Sequence, residues 1–399
     1  MSVVFRHTVA IAMCFIICHV AMCENPCSYA KIRSSMGVDV RPSYAFSSYK
    51  DDILKNVLDV DNSCNTEFAT SLHLKYGFTF DPSSRQGRFY PGVWQGIGTS
   101  VNFFGNPKGI GTPVSVYAFQ GAPVHKFSDR LSLYYEWNFG ASFGWHKCDG
   151  ITSYSNLIVG SNVNAYINVG AGLRWKMGNR YAMTAGLDLT HFSNGNTSFP
   201  NPGVNMAGIR IGVTRSFGKE PNKIGDCVVF DIDTVEQRRR LQFDVTAYGA
   251  WRKRVYRGGE TPVLLNGHYP VVGLDISPMW QIKKIFRTGA SVDFQWDQST
   301  NLKKYHAYGS TSEDIRFYRP PVLSQVCVGI SGRAELVMPI FSVNVGIGYN
   351  FIGPEETRAS YQLANLKVRL SDRFFLNVGY QLLNFQKQNN LMLGIGYTF

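Results

Sequence analysis

The chain has 399 residues, of which 14% are aromatic and 17% charged, with 39 glycines and a formal net charge of +12. Beyond the N-terminus no run of about 18 apolar residues occurs, which excludes a bundle of transmembrane helices. The basic excess suits nucleic acid or anionic lipid head groups; no nucleic-acid motif accompanies it, so lipid is the expected counterpart and no nucleic-acid partner is expected.

Arg6 and His7 precede the apolar run 8–18, and small residues lie near Ala21. This predicts a secretory signal peptide over 1–23, outside the fold. Val20-Ala21-Met22-Cys23 is near a lipoprotein box, but Met22 before the cysteine fits poorly. Export permits disulfides among Cys27, Cys64, Cys148, Cys227 and Cys327. Cys64, Cys148 and Cys227 lie near segment ends, which suits loop disulfides; isolated thiols are the equal alternative. The cysteine spacing matches no metal motif, and neither a metal nor a cofactor is expected.

Residues 24–65 are weakly patterned and are expected to form an N-terminal periplasmic arm or plug-like segment. From there to 217 apolar and polar residues alternate, the period of a strand with two different faces. Strands are predicted at 68–80, 93–104, 112–126, 130–146 and 163–176, then at 181–190 and 206–215 as a hairpin. Tyr134, Tyr135, Trp137, Phe139, Phe143 and Trp145 concentrate rings as at the interfaces of a membrane barrel; an aromatic soluble core is the alternative. Residues 218–240 break the pattern with Pro221, three acids and Arg238-Arg239-Arg240, as a linker or long loop. Alternation resumes over 241–399. In the last strand Leu391, Leu393, Ile395, Tyr397 and Phe399 share one face, like the C-terminal strand of an outer-membrane barrel.

The expected fold is therefore all-β, a transmembrane outer-membrane β-barrel of about 14 antiparallel strands, with about 12 or about 16, or two fused small barrels, as alternatives. A large soluble all-β protein gives the same alternation. Gly, Thr, Arg and Asp on the non-apolar faces favour the membrane reading, because a water-filled lumen tolerates them. The stretch 367–380 echoes 173–186, which sets Asn384-Phe385-Gln386 against His191-Phe192-Ser193. Duplication or generic barrel patterning produces such an echo. The second half lacks the His and Ser and is expected to be non-catalytic.

The chemistry concentrates at His191-Phe192-Ser193-Asn194-Gly195. Tyr181, Met183, Ala185, Leu187 and Leu189 share the apolar face, and His191 and Ser193 extend it. Asn205 heads the apolar face of the return strand. A serine hydroxyl becomes a nucleophile when a neighbouring base takes its proton, and a third group holds the imidazole in its useful tautomer. His191, Ser193 and Asn205 supply these parts. Asn194, Asn201 and the backbone N–H groups around Gly195 are candidate oxyanion donors. Asp188 falls on the lumen face, away from them. As ordinary structure, the same stretch reads as an interfacial histidine followed by turn formers.

His191-Phe192-Ser193-Asn194, with Pro200-Asn201, Gly203 and position 205, resembles the active-site segment of the PagL-type lipid A 3-O-deacylases (acyloxyacyl hydrolases). The resemblance covers about residues 90–217 and is specific over 188–217. It implies an outer-membrane enzyme of Gram-negative bacteria that cleaves the ester-linked acyl chain at position 3 of lipid A without a metal. His191 would be the base, Ser193 the nucleophile and Asn201 the family asparagine near the oxyanion. Lipid A, as lipopolysaccharide in the outer leaflet, is the implied partner. Well-known members carry Glu where this chain has Asn205, which implies lower activity or a different optimum. The alternatives are a structural or accessory subunit of an outer-membrane protein complex, and a channel or porin with Arg210 and Asp188 lining its lumen.

Overall fold

A computed structural model describes residues 32–46, 68–147 (except 83 and 106), 159–198, 203–217, 241–256, 263–283 (except 266), 285–302, 306–307, 316–317 and 320–399 (except 386). The expected signal peptide, the linker 218–240, Asn201 and all of the cysteines except Cys327 lie outside the described residues. Cys327 is a buried free thiol.

The chain divides into two compact units, each containing one closed barrel. In the first, β1 (Ile32–Phe46), β2 (Phe68–Phe80), β3 (Trp94–Phe104), β4 (Gly111–Lys126), β5 (Leu131–Trp145), β6 (Val163–Met177), β7 (Tyr181–Ser193) and β8 (Val204–Ser216) form an antiparallel meander. It closes where β1 pairs with β8, from Ser35 opposite Ser216 to Phe46 opposite Asn205.

The second contains β9 (Leu241–Arg252), a short ribbon of β10 (Val255–Tyr256) and β11 (Val263–Leu264), then β12 (Tyr269–Lys283) and β13 (Phe286–Asp297). A second ribbon, β14 (His306–Ala307) with β15 (Arg316–Phe317), precedes β16 (Val326–Leu336), β17 (Phe341–Ile352), β18 (Ser360–Arg369), β19 (Phe374–Leu383) and β20 (Lys387–Thr398). Outside the ribbons these strands also form an eight-stranded meander, closed by β20 against β9 from Thr398 opposite Asp244 to Leu393 opposite Gly249.

Two expectations are corrected. A single barrel of about 14 strands is replaced by two barrels of eight, the arrangement carried as the last alternative. Residues 32–46, expected in an arm or plug, are the strand that closes the first barrel. Both errors have one cause. Closure is made by main-chain hydrogen bonds between a first and a last strand, and main-chain pairing leaves no signature in side-chain alternation.

In both barrels the apolar side chains point outward. Along β1, Met36, Val38, Val40, Tyr44 and Phe46 are exposed, while Asp39, Arg41 and Ser43 are buried inside. Along β20, Leu393 and Ile395 are exposed and Met392 is buried. An exterior of this kind is stable only against lipid, and a closed barrel leaves no unpaired strand edge there.

Eight strands enclose an interior just wide enough for side chains to fill. In the first barrel Arg41, Lys75 and Arg210 are matched by Asp39, Glu136 and Asp188. Arg210 Nη1 lies 2.6 Å from Glu136 Oε1, Arg210 Nε 3.1 Å from Asp188 Oδ2, and Lys75 Nζ 2.8 Å from Asp39 Oδ2. In the second barrel Asp244 and Glu335 are bridged by Lys367 Nζ at 2.7 Å to each, and by Arg287. Arg210 and Asp188 do face the lumen, as expected, but they are paired across it as part of its packing. This argues against a water-filled pore.

The two ends of the first barrel differ. The last residues of β1, β3, β5 and β7 and the first residues of β2, β4, β6 and β8 lie at one end. The turns 127–130 and 178–180 lie at the other, with 81–93. Outer-membrane barrels carry short turns at one end and longer connections at the other, and the end at which β7 stops and β8 starts is the one with the longer intervals in sequence. An apolar plug fills the interior near that end: Phe104, Trp145, Phe192, Val204 and Met206 pack together.

Candidate active site

The alternation of β7 is what separates the site from the interior. Thr190 and Phe192 point inward, whereas Leu189, His191 and Ser193 fall on the outward face. Phe192 is fully buried and packs on Trp145 and Tyr166, with ring centroids 5.0 and 5.3 Å away. Its two neighbours are thereby held outward at the top of the apolar exterior. The role of Phe192 as an interior anchor went unread in the sequence; the signal available was its even position in the alternation.

Across the β7–β8 hairpin His191 stands directly opposite Asn205. His191 Nδ1 and Asn205 Oδ1 are 2.7 Å apart. With the amide oxygen at that place, Nδ1 carries the proton and Nε2 is left as an acceptor. On the other side, Ser193 pairs with Ala165 of β6 and His191 with Ile167. His191 and Asn205 are half-buried and Ser193 is 8% exposed.

The connection that follows begins with a tight turn. Gly195 and Asn196 both take positive φ, 63° and 69°, and Thr197 N–H donates to the Asn194 carbonyl at 3.3 Å. Two successive positive φ values within one such bond define a type I′ turn, which suits Gly and Asn. Asn194 is buried, and its Oδ1 accepts from Ser198 N–H at 3.4 Å.

The connection ends on Gly203, with φ of 74°. A Cβ there would stand 2.6 Å from the Phe192 carbonyl oxygen, 3.2 Å from His191 Cε1 and 3.3 Å from Ser193 Cβ. Gly203 therefore lies close against both His191 and Ser193, where there is no room for a side chain.

The sequence-predicted residues thus divide. His191, Ser193 and Asn205 are brought to one outward corner, with Asn194 and Gly195 in the turn directly after Ser193. Asn201 lies outside the described residues. Asp188 is buried in the lumen with Arg210 and Arg41, as expected of its face. Among the described residues no cluster of His, Cys, Asp or Glu suits a metal ion.

Residues 70–214 match the family model described as lipid A 3-O-deacylase (PagL), and residues 241–399 match that described as acyloxyacyl hydrolase, C-terminal domain. No curated protein matches the chain. Among solved structures it is similar to Neisserial surface protein A, with 10% identity over 46% of this chain and 97% of that one, at a TM-score of 0.31. It is also similar to the outer membrane enzyme PagL, with 15% identity over 44% of this chain and 97% of that one, at a TM-score of 0.30. The attachment invasion locus protein Ail of Yersinia pestis shows 14% identity over 47% of this chain and 99% of that one, at 0.25.

Proposed function

We propose that this chain, which belongs to the PagL family of lipid A 3-O-deacylases, hydrolyses an ester-linked acyl chain of lipid A with Ser193 as nucleophile and His191 as base. The observation that carries this reading is the 2.7 Å contact of His191 Nδ1 with Asn205 Oδ1, on the lipid-facing side of the barrel and beside Ser193. The site lies at the end with the longer connections, which corresponds to the outer leaflet, where lipid A is found.

The steps follow from the residue chemistry. The Asn205 carbonyl accepts the Nδ1–H bond and keeps His191 in the tautomer whose Nε2 is free. Ser193 Oγ attacks the ester carbonyl carbon as its proton passes to Nε2. The tetrahedral oxyanion needs donors, and the backbone N–H groups at Asn194 and Gly195, with the Asn201 amide, are the candidates. His191 then gives the proton to the departing sugar oxygen, leaving the acyl chain on Ser193. Water, deprotonated by the same Nε2, releases the fatty acid and restores the serine.

Residues i and i+2 on a strand start with Cβ atoms about 6–7 Å apart, and bonds of this kind tighten when substrate binds. Asn205 orients the imidazole but brings no negative charge. The imidazolium formed at each step therefore lacks the counter-charge that a carboxylate would supply.

The test is mass spectrometry of lipid A from cells expressing the wild type or Ser193→Ala. Loss of one ester-linked acyl chain with the wild type alone is the expected result. Fully acylated lipid A in both, with the barrels folded in the outer membrane, would remove lipid A as the substrate.

A further inference from the structure

The lumen of the first barrel is not balanced in charge along its length. Deep inside, Arg41, Lys75 and Arg210 are matched by Asp39, Glu136 and Asp188. At the end away from Ser193 the inward strand faces add Arg33, Arg174 and Lys176, and no acid. Neither Arg33 nor Arg174 has a carboxylate within ion-pair distance among the described residues. Arg33 donates to the Asn179 carbonyl, but its Nε is buried without a partner. The two arginines are near enough for their positive charges to repel.

Arg174 lines a cavity of about 490 Å³ at this end, and Arg33 stands opposite Thr79, which lines it too. Ser35, Thr184, Thr214 and Ser216 add further hydroxyls to the lining. Of the five hydroxyls only that of Ser35 is engaged among the described residues, with the Gly77 carbonyl at 3.4 Å. Trp94 forms one wall. Its Nε1 donates to Glu136 Oε2 at 3.0 Å, and the Arg174 guanidinium lies over its rings, 4.6 Å from the centroid. A guanidinium held over a ring keeps its edge N–H groups available, so Arg174 is fixed in place with donors to spare. The cavity at the matching end of the second barrel, about 520 Å³, differs. There Arg287 and Lys367 are held by Asp244 and Glu335, and Arg373 donates to the Tyr397 hydroxyl.

We propose that this mouth of the first barrel binds a phosphate group, with Arg174 and Arg33 as its charged donors and the hydroxyls as its neutral ones. Two guanidinium groups of unmatched charge call for a ligand carrying more than one negative charge. Hydroxyls contributed by β1, β2, β7 and β8 approach from several directions, which suits a tetrahedral anion better than a flat carboxylate. The fork of an arginine matches two phosphate oxygens at once. Inorganic phosphate and the phosphate of a lipid head group share this chemistry. The site lies at the opposite end of the lumen from Ser193, so it is separate from the candidate ester-cleaving corner and does not depend on it.

The experiment titrates the full-length protein, in a non-ionic detergent, with inorganic phosphate and separately with dihexanoyl phosphatidic acid, followed by calorimetry. Arg174→Gln and Arg33→Gln each remove one charged donor. Arg174→Lys keeps the charge without the fork, and Arg373→Gln removes a cation at the cavity of the second barrel. The wild type should bind phosphate, and Arg174→Gln and Arg33→Gln should each weaken binding by about tenfold or more, as for a lost hydrogen bond to a charged group. Arg174→Lys should weaken it less, and Arg373→Gln should leave it unchanged. Tighter binding of the lipid than of phosphate, lost in Arg174→Gln, supports the site with a lipid head group as its source. Equal binding of the two, lost in the same variant, supports it with free phosphate. No binding of either probe by the wild type, or equal binding by the wild type and Arg174→Gln, overturns the site. Circular dichroism checks the strand content of each variant. Should Arg174→Gln lack it, unchanged binding in both Arg174→Lys and Arg33→Gln overturns the site instead.

Discussion

The last hairpins of the two barrels begin alike and end differently. In the first, β7 carries its alternation through His191 and Ser193 before a connection of ten residues, 194–203, returns the chain to β8. In the second, β19 stops at Leu383 and the chain turns back at Asn384 and Phe385, with φ of 51° and 59°. The echo between the halves sets Asn384-Phe385-Gln386 against His191-Phe192-Ser193. One barrel thus continues the strand and builds a covered, lipid-facing corner, where the other makes a tight turn. The same eight-stranded architecture thus ends in two different hairpins, and the length of one connection decides whether outward polar residues are covered.

The most severe way to break the comparison is to remove the base. His191→Ala should lower deacylation by about a thousandfold or more, read as released fatty acid per mole of protein. Retained activity would return the first hairpin to the bland status of the second.

The close contact at Gly203 is tested next. Gly203→Ala demands a Cβ 2.6 Å from the Phe192 carbonyl oxygen at a φ of 74°. Its accommodation shifts His191 or Ser193, and a displacement of about 1 Å costs about a hundredfold in rate. Circular dichroism should show the strand content of the wild type. A wild-type rate would mean that this glycine has no part in the chemistry.

The comparison is sharpened by adding what the site lacks. Asn205→Glu supplies a charge to the imidazolium and should raise the rate by about tenfold. An unchanged or lower rate, measured on the same lipid, would show that the amide is already matched to this corner.

The smallest effect is expected in the second hairpin. Phe385 adopts a left-handed φ and is 67% exposed. Phe385→Gly relieves that backbone and should stabilise the second barrel by about 1 kcal/mol in urea unfolding. Deacylation should stay unchanged. A loss of activity would tie this turn to the chemistry of the first barrel.

Much of the site was legible because alternation with a period of two states which residues share a face. From that alone His191 and Ser193 fall outward with Leu187 and Leu189, and Asp188 falls inward to Arg210. The same rule applied to Val38-Asp39-Val40-Arg41 would have recovered β1, whose outward Val38 and Val40 and inward Asp39 and Arg41 repeat it. That segment stands apart from the recognisable run of strands, separated from β2 by 21 residues, which is why it resembles an arm. The anchoring role of Phe192 is hidden for a related reason: its contacts with Trp145 and Tyr166 come from other strands.

By itself the sequence determined the strand class, the apolar outward face and the residue types of the candidate site, because each depends on neighbours along the chain. Only the tertiary structure decided that there are two barrels of eight strands, that Asn205 meets His191 and that Gly203 lies against Ser193. Those depend on register between strands and on which strands close the sheet. Both are set by main-chain hydrogen bonds, which every residue but proline can make, so they become visible only when the strands are assembled.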